Sequence, residues 1–271
     1  MNKPFVRNLF AAAVFSSSAI SAQATFTISL NFSGLDATQQ SYFTAAKSFW
    51  ESTISGYQAG ISLTGFTINA NGLIIDGVGG ILGSAGPTSA TTQAGFFLTT
   101  AGAMDFDLAD INALIGAGSF TDVIKHEMAH VMGFGTLWTQ NNVYVNGSGK
   151  FTGGAALAQF KTEFLGQGAA TYVPVELGGG GGTANGHWNE VDGGGANTGI
   201  VDAQGRDFRN ELMTGWLNAP TFTSKTTIAS FQDIGYNISL VPEVNAFLMA
   251  LAACPLVLMA AVRRRRQEKR A

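Results

Sequence analysis

Cysteine, histidine and basic residues are all scarce in this chain of 271 residues, and each shortage limits what the chain can do. The single cysteine, Cys254, lies near the C-terminus, so residues 25–241 can form neither a disulfide nor a thiol active site. The same residues hold seven Lys/Arg against 16 Asp/Glu, a net charge near −9. An acidic segment of this kind argues against nucleic acid or an anionic membrane surface as a partner.

Both ends differ from this acidic body and predict export. Residues 1–24 pass from a basic start (Lys3 and Arg7) through a short apolar stretch to Ser-Ala-Gln-Ala, the pattern of a cleaved secretory signal peptide. Residues 244–262 are nearly all apolar and long enough to cross a bilayer, and the arginines at 263–266 would stay on its cytoplasmic side. We therefore expect residues 25–241 to pass through the inner membrane and to reach the cell surface or the extracellular space.

Residues 242–271 have two interpretations. One is a plain C-terminal membrane anchor. The other is a sorting signal, because Pro242-Glu243, the apolar helix and the arginine cluster together resemble the bacterial PEP-CTERM signal, although Val244 stands where that family normally has a second proline. This resemblance implies an exosortase-like processing enzyme as a partner, and membrane contact through residues 244–262 before the tail is removed.

Hydrophobic periodicity predicts a mixed sheet with a covering helix in the first part of the body. Residues 25–32 alternate apolar and polar side chains and predict a half-buried strand, after which Asp36 can cap a helix. The remaining predicted segments are strands over 61–78 interrupted at Gly65 and Gly72, a loop or irregular strand over 77–95, and two short strands over 96–98 and 103–107.

A second predicted helix begins near Ser119, where Asp122 three residues later suggests a capping box, and ends at Gly133. Beyond it the chain is rich in glycine, with five in a row at 178–182 and one further predicted helix over 155–164. We interpret this part as a loop-rich second lobe.

The helix ending at Gly133 contains His126-Glu127-Met128-Ala129-His130. Residues four apart lie on one face of a helix, so both imidazoles can bind one metal ion, and Glu127 can take a proton from a water held there. Catalytic zinc uses three protein ligands. His187, the only other histidine, is the strongest third candidate, and the carboxylates that could replace it are Glu163, Glu176, Glu190 and Glu211.

Residues 126–135 resemble the active-site helix of leishmanolysin-like metzincin peptidases. Most metzincins have a third histidine three residues after the glycine, where this chain has Thr136, but leishmanolysin-like members carry an insertion before it. Gly186-His187-Trp188 is similar to that displaced ligand. Residues 210–214 are similar to the segment of the Met-turn, whose methionine, here Met213, packs beneath the metal.

The chain departs from the pattern in two places. Several metzincins have a transition-state tyrosine two residues after the Met-turn methionine, whereas this chain has Gly215, leaving Tyr236 or a backbone group as candidates for that role. The cysteine that keeps eukaryotic members latent is also missing before the helix.

The resemblance implies an α+β zincin fold, with a mixed-sheet N-terminal lobe (about 25–135) and a loop-rich C-terminal lobe (about 136–241) across a cleft. It implies a Zn²⁺-dependent endopeptidase that takes protein or peptide substrates, with Glu127 as general base and then acid. Two alternatives stay open. One is a non-catalytic surface or adhesive protein that retains a zinc-binding metzincin fold, and the other is a zinc peptidase of another clan with a carboxylate ligand.

Overall fold

A computed structural model describes residues 26–190 and 197–240, and has an α+β fold, as predicted. The predicted signal peptide (1–24) and sorting tail (242–271) lie outside these residues. Within the described ranges, no helix combines the length and apolar character needed to cross a membrane. The strands are β1 (Thr27–Ser33), β2 (Ile54–Tyr57), β3 (Gly65–Leu73), β4 (Gly83–Gln93), β5 (Phe96–Asp107), β6 (Lys150–Phe151), β7 (Val173–Pro174) and β8 (Tyr236–Ile238). The helices are α1 (Ala37–Thr53), α2 (Leu108–Gly116), α3 (Phe120–Val131), α4 (Gly154–Glu163) and α5 (Lys225–Gln232), with a 3₁₀ turn at Phe208–Asn210.

The main sheet has four strands in the order β1-β3-β5-β4. The first three are parallel, and β4 runs antiparallel at the edge. Its inner face is apolar because alternate residues of each strand point the same way, as with the fully buried Ile28, Ile68 and Met104. This face forms one wall of the core.

Helix α1 covers the sheet, as its pattern predicts. Asp36 and Gln39 form a capping box at its start, and Phe43, Ala46 and Trp50, at helical spacing, are fully buried. The indole N–H of Trp50 donates to the carbonyl of Lys125 in α3 at 3.0 Å. α1 is thereby fixed directly to the helix that carries the histidine motif.

Helix α3 packs tightly against β5 because Gly102 has no side chain. A Cβ at Gly102 would lie 2.3 Å from a methyl carbon of Val131, and the hydroxyl of Thr99 donates to the Val131 carbonyl at 2.6 Å. The predicted capping box is wrong, since the Ser119 side chain makes no cap bond and Asp122 contacts Lys125 and Thr221. The helix nevertheless begins and ends where the sequence predicts.

Three strand predictions need correction or refinement. The strands predicted over 61–78 reduce to β3, which begins at Gly65, so residues 61–64 and 74–78 are not strand. Gly72 does not interrupt β3, and a Cβ there would meet the Gly34 carbonyl oxygen at 2.6 Å, so this glycine permits close approach. The two short strands predicted over 96–107 form the single strand β5, because β3 and β4 pair with it along its length. The irregular strand predicted over 77–95 is confirmed as β4, whose register shifts beside Pro87.

After α3, most of the described chain is loop, with α4 and α5 packed together. The first backbone N–H groups of each helix donate to a carboxylate at the end of the other helix. Asp233 accepts the N–H groups of Ala155 and Ala156, and Glu163 accepts those of Lys225 and Thr226. These exchanged caps satisfy the free N–H groups at both helix starts. The helix predicted over 155–164 is confirmed.

Candidate metal centre

Helix α3 presents His126 and His130 from one face, with their Nε2 atoms 3.0 Å apart. The helix stops directly afterwards, because Gly133 takes a positive φ of 111°. Thr136, three residues after that glycine, donates its hydroxyl to the His130 carbonyl at 2.7 Å. Thr136 therefore closes the end of the helix.

His187 reaches the same point from a distant loop. Its Nε2 lies 3.0 Å from the Nε2 atoms of both His126 and His130. The loop is anchored by the neighbouring Trp188, which is fully buried, stacks on Trp138, and donates its backbone N–H to the Met213 carbonyl at 3.0 Å. The structure thus brings together all three histidines that the sequence singles out.

Each of the three imidazoles is oriented by a backbone carbonyl. The Nδ1 atoms lie 2.7, 2.9 and 2.8 Å from the carbonyl oxygens of Leu212, Phe134 and Thr183 respectively. A carbonyl only accepts hydrogen bonds, so Nδ1 carries the proton and each Nε2 keeps a free lone pair. Three Nε2 atoms that carry lone pairs and no proton cannot hydrogen-bond to one another at 3.0 Å, but they can bind one shared cation.

The charge state of the histidines also suits a metal. Burial lowers the pKa of His126 to about 4 and that of His187 to about 3, and it holds the pKa of His130 well below its usual range. All three are therefore neutral at pH 7, the form in which an imidazole binds metal.

The spacing of the nitrogens fits zinc. The three Nε2 atoms form a triangle with 3.0 Å sides. An ion placed just off the plane of this triangle can lie about 2.0–2.1 Å from each nitrogen, the usual Zn–N distance, and its fourth coordination position would remain free. Among the described residues, these three histidines are the one group of three or more His, Cys or carboxylate side chains that converges this closely. The group could hold a zinc ion.

Glu127 is buried between α3 and the start of the edge strand β4. Only 6% of its surface is exposed, and a Cβ at Gly83 would lie 3.1 Å from its Oε1 atom. Burial raises the pKa of Glu127 to about 8. A cation held by the adjacent histidines would oppose this shift, because a nearby positive charge favours the carboxylate.

Each alternative carboxylate accepts a hydrogen bond elsewhere, although one oxygen of Glu190 has no partner. Glu163 caps α5, and Glu176 accepts the N–H groups of Gly178 and Glu190. Glu190 accepts from Asn218, and Glu211 accepts from Met213, Ser224 and Thr227. None of the four belongs to the converging group, so the carboxylate-ligand alternative loses its candidates among the described residues.

Met213 is fully buried in the segment that supports two of the imidazoles. The preceding carbonyl, of Leu212, holds His126, and its own carbonyl holds the loop of His187. Tyr236 is a poor candidate for a catalytic hydroxyl, because it is fully buried and donates to the Met132 carbonyl at 2.9 Å.

Sequence reasoning missed the three orienting carbonyls and the role of Gly135. Every residue has a carbonyl, so the sequence offers no signal for Leu212, Phe134 or Thr183. Gly135 does offer one, because it lies just beyond the motif with a φ of 70°, and a Cβ there would approach the Gly186 carbonyl oxygen to 2.2 Å. This close approach places the His187 loop against the end of α3.

Replacing Gly135 with alanine is therefore expected to displace His187 and to lower zinc affinity by at least roughly tenfold, the lower range for losing an outer-shell contact. Gly147→Ala is the matched control, since Gly147 has a similar φ of 76° with nothing within 4 Å of its Cβ position. Both variants lose stability from backbone strain, by about 1–2 kcal/mol. Competitive zinc titration with a chromophoric chelator measures the difference, and equal affinities in the two variants would contradict this role for Gly135.

The chain is similar to a known protein family. A protein-family model described as Leishmanolysin (Peptidase_M8) matches residues 98–254, which begin in β5 and include all three histidines and Met213. No curated protein matches the chain.

Proposed function

Because the chain belongs to the leishmanolysin family of metallopeptidases, we propose that it is a zinc-dependent endopeptidase of the metzincin type. Its substrates are proteins or peptides. The observation that carries this proposal is the convergence of three neutral imidazoles, each with its Nε2 lone pair free, beside the buried carboxylate of Glu127. His126, His130 and His187 are the proposed zinc ligands.

Zinc at this position would supply a Lewis acid that activates water and polarises the scissile carbonyl. The protein contributes the proton transfers. The Glu127 carboxylate takes a proton from the attacking water and, once protonated, returns it to the leaving amine nitrogen. Burial raises the pKa of Glu127, and a zinc ion held by the adjacent histidines would lower it again, so the carboxylate of the zinc-loaded protein would be ionised and able to accept the proton.

Met213 is proposed as the methionine of a Met-turn. The side chain is fully buried, and the backbone carbonyls of Leu212 and Met213 anchor His126 and the loop of His187. In this role Met213 packs beneath the metal centre without binding the ion.

The test is metal analysis of the purified protein combined with cleavage of a mixed peptide library. About one zinc per chain is expected, with cleavage that a chelator abolishes and added zinc restores. Bound zinc with no cleavage of any peptide would instead favour the non-catalytic surface or adhesive protein. Absence of stoichiometric zinc would overturn the proposal.

Export is a separate proposal that rests on residues 1–24 and 242–271. We propose that residues 25–241 act outside the inner membrane, secreted or sorted to the surface by an exosortase-like enzyme. Mass spectrometry of the protein recovered outside the cells should show a chain that begins at Thr25 and lacks Cys254. A surface protein that retains Cys254 would point to the plain membrane anchor.

A further inference from the structure

Large apolar side chains that face solvent are concentrated on one loop. Of the eleven such side chains in the described residues, four lie within residues 73–81, and a fifth, Leu108, follows the residue that pairs with Leu73. Ile74 and Val78 are each 87% exposed, and Ile81 is 49% exposed. We call residues 73–82, which lead from the end of β3 to β4, the apolar loop. A contiguous group of exposed apolar side chains marks an interaction site.

The backbone of the apolar loop is fixed by hydrogen bonds, so its side chains are held outward. The N–H groups of Ile75, Asp76 and Gly77 donate to the carboxylate of Asp107 at 2.8–3.3 Å. Asp107 in turn donates its backbone N–H to the carbonyl of Leu82 at 3.3 Å. The middle of the loop is thereby folded back against the residue that precedes β4. These N–H groups are already bonded, which leaves the apolar side chains to meet a partner.

The apolar loop borders the candidate metal centre. It leads directly into Gly83, where a Cβ would lie 3.1 Å from the Oε1 atom of Glu127. Further along β4, a Cβ at Gly86 would lie 3.9 Å from the methyl carbon of Thr136, which bonds to the His130 carbonyl. The strand therefore runs from Glu127 towards the C-terminal end of α3, and the apolar loop extends from Glu127 in the opposite direction.

The proposed proton transfer indicates which part of a substrate comes near the apolar loop. Protonated Glu127 returns its proton to the leaving amine, so that nitrogen must lie within hydrogen-bond reach of the carboxyl group. The substrate segment after the cleaved bond thus begins beside Gly83. An extended peptide advances about 3.3 Å per residue, and Ile81 lies two residues before Gly83. The second and later residues after the cleaved bond can therefore reach the loop.

We propose that the apolar loop binds apolar side chains of the substrate at the second to fourth positions after the cleaved bond. Ile74, Val78 and Ile81 supply the contact surface. The inference rests on the proposed function, because it takes the position of the leaving amine from the role of Glu127. It assigns to the endopeptidase a preference for peptides that are apolar beyond the cleaved bond.

The charges around the apolar loop favour a peptide over a lipid surface. Exposed Asp76 lies between Ile74 and Val78, and there is no Lys, Arg or His between residues 48 and 124. The loop therefore offers no basic group to anionic lipid headgroups, and inserting Ile74 and Val78 into a bilayer would bring the Asp76 carboxylate with them. A single extended peptide can contact both side chains while Asp76 stays in water.

The test compares two versions of a peptide that the protein cleaves, with leucine or with serine at the second to fourth positions after the cleaved bond. The wild-type protein is expected to prefer the leucine version by roughly tenfold or more in kcat/KM, the lower range for apolar contacts in a binding site. The double variant Ile74→Ser, Val78→Ser should lose most of this preference. The loss should appear mainly as a higher KM for the leucine peptide, because these contacts form in the bound substrate and persist in the transition state.

Leu165→Ser is the matched control. Leu165 is 59% exposed and follows α4, so its replacement removes a similar exposed side chain outside the loop without changing the charge. It should keep the full leucine preference. An unchanged preference in the double variant, or an equal loss in Leu165→Ser, would overturn the inference. Cleavage without any leucine preference would refute the role of the loop alone, whereas failure to cleave any peptide would refute the proposed function as well.

Cosedimentation with phosphatidylcholine vesicles and size-exclusion chromatography test the other occupants of the apolar loop. The double variant should sediment and elute as the wild-type protein does. Weaker sedimentation of the double variant would assign the loop to a lipid surface, and loss of a dimer would assign it to a second copy of the chain. Either result would overturn the proposal.

Discussion

Replacing Glu127 with alanine is expected to leave zinc bound and to reduce peptide hydrolysis by roughly 10²–10⁴-fold, the usual contribution of a general acid–base group. The three imidazoles are each oriented by a backbone carbonyl and none depends on Glu127, so the ligand set stays intact. The measurement pairs zinc stoichiometry with kcat/KM on a peptide that the wild-type protein cleaves.

The stability of this variant can be predicted from the pKa of Glu127. Because burial raises that pKa to about 8, the folded protein without zinc loses stability as pH rises from the usual glutamate range through 8. Alanine removes this loss. At pH 8 the free energy of unfolding of the zinc-free variant should therefore exceed that of the zinc-free wild-type protein, apart from the cost of the cavity left by the smaller side chain. Inactivity could not then be attributed to unfolding.

Glu51→Ala serves as the control for Glu127→Ala. Glu51 lies on α1, paired with Lys47, and should retain full activity when replaced. Wild-type hydrolysis in the Glu127 variant would remove the residue from the mechanism and return the search for a base to the other buried carboxylates.

Replacing His187 with alanine is expected to lower zinc affinity by more than roughly 100-fold, because losing an outer-shell partner alone can cost that much. Peptide hydrolysis should be lost together with the zinc. Two ligands on one helix remain, but catalytic zinc is normally held by three protein side chains. Competitive chelator titration measures the affinity, and circular dichroism checks that Trp188 still anchors the loop.

Glu190→Gln is the informative comparison for His187→Ala. Glu190 is buried, lies three residues after His187, and has one oxygen with no hydrogen-bond partner, which makes it the best-placed carboxylate for an alternative ligand role. It should retain zinc affinity within a few-fold of the wild type. Loss of zinc from Glu190→Gln combined with retention in His187→Ala would reverse the assignment.

The two predicted ligands on α3 needed no tertiary information. Four residues along a helix is a local distance, so His126 and His130 must face the same way once the segment is helical. His187 is the strongest candidate for the third ligand because it is the only histidine outside the motif. Its convergence with the other two depends on the contact of Gly135 with Gly186 and on the burial of Trp188, which link residues about fifty positions apart.

The glycines show where local reasoning fails. Gly72 predicts an interruption when only neighbouring residues are considered, but β3 continues through it because its parallel pairing with β5 extends to Leu73. Gly65, by contrast, is the residue at which β3 begins. Ser119 is the N-cap residue of α3, but the predicted capping box does not form, since the Asp122 carboxylate accepts instead from the hydroxyl of Thr221, ninety-nine residues away. Long-range partners override local preferences wherever they satisfy more hydrogen bonds or bury more apolar surface.

The amino-acid sequence by itself determined the helical motif of His126, Glu127 and His130, the α+β class, the acidic body and the absence of cysteine chemistry within it. These depend on composition and on residues close along the chain. Only the tertiary structure decided which side chain completes the metal centre, which carbonyls orient the imidazoles, and which carboxylates are already committed to helix caps. Those outcomes depend on distances between remote segments, and such distances exist only after the core has packed.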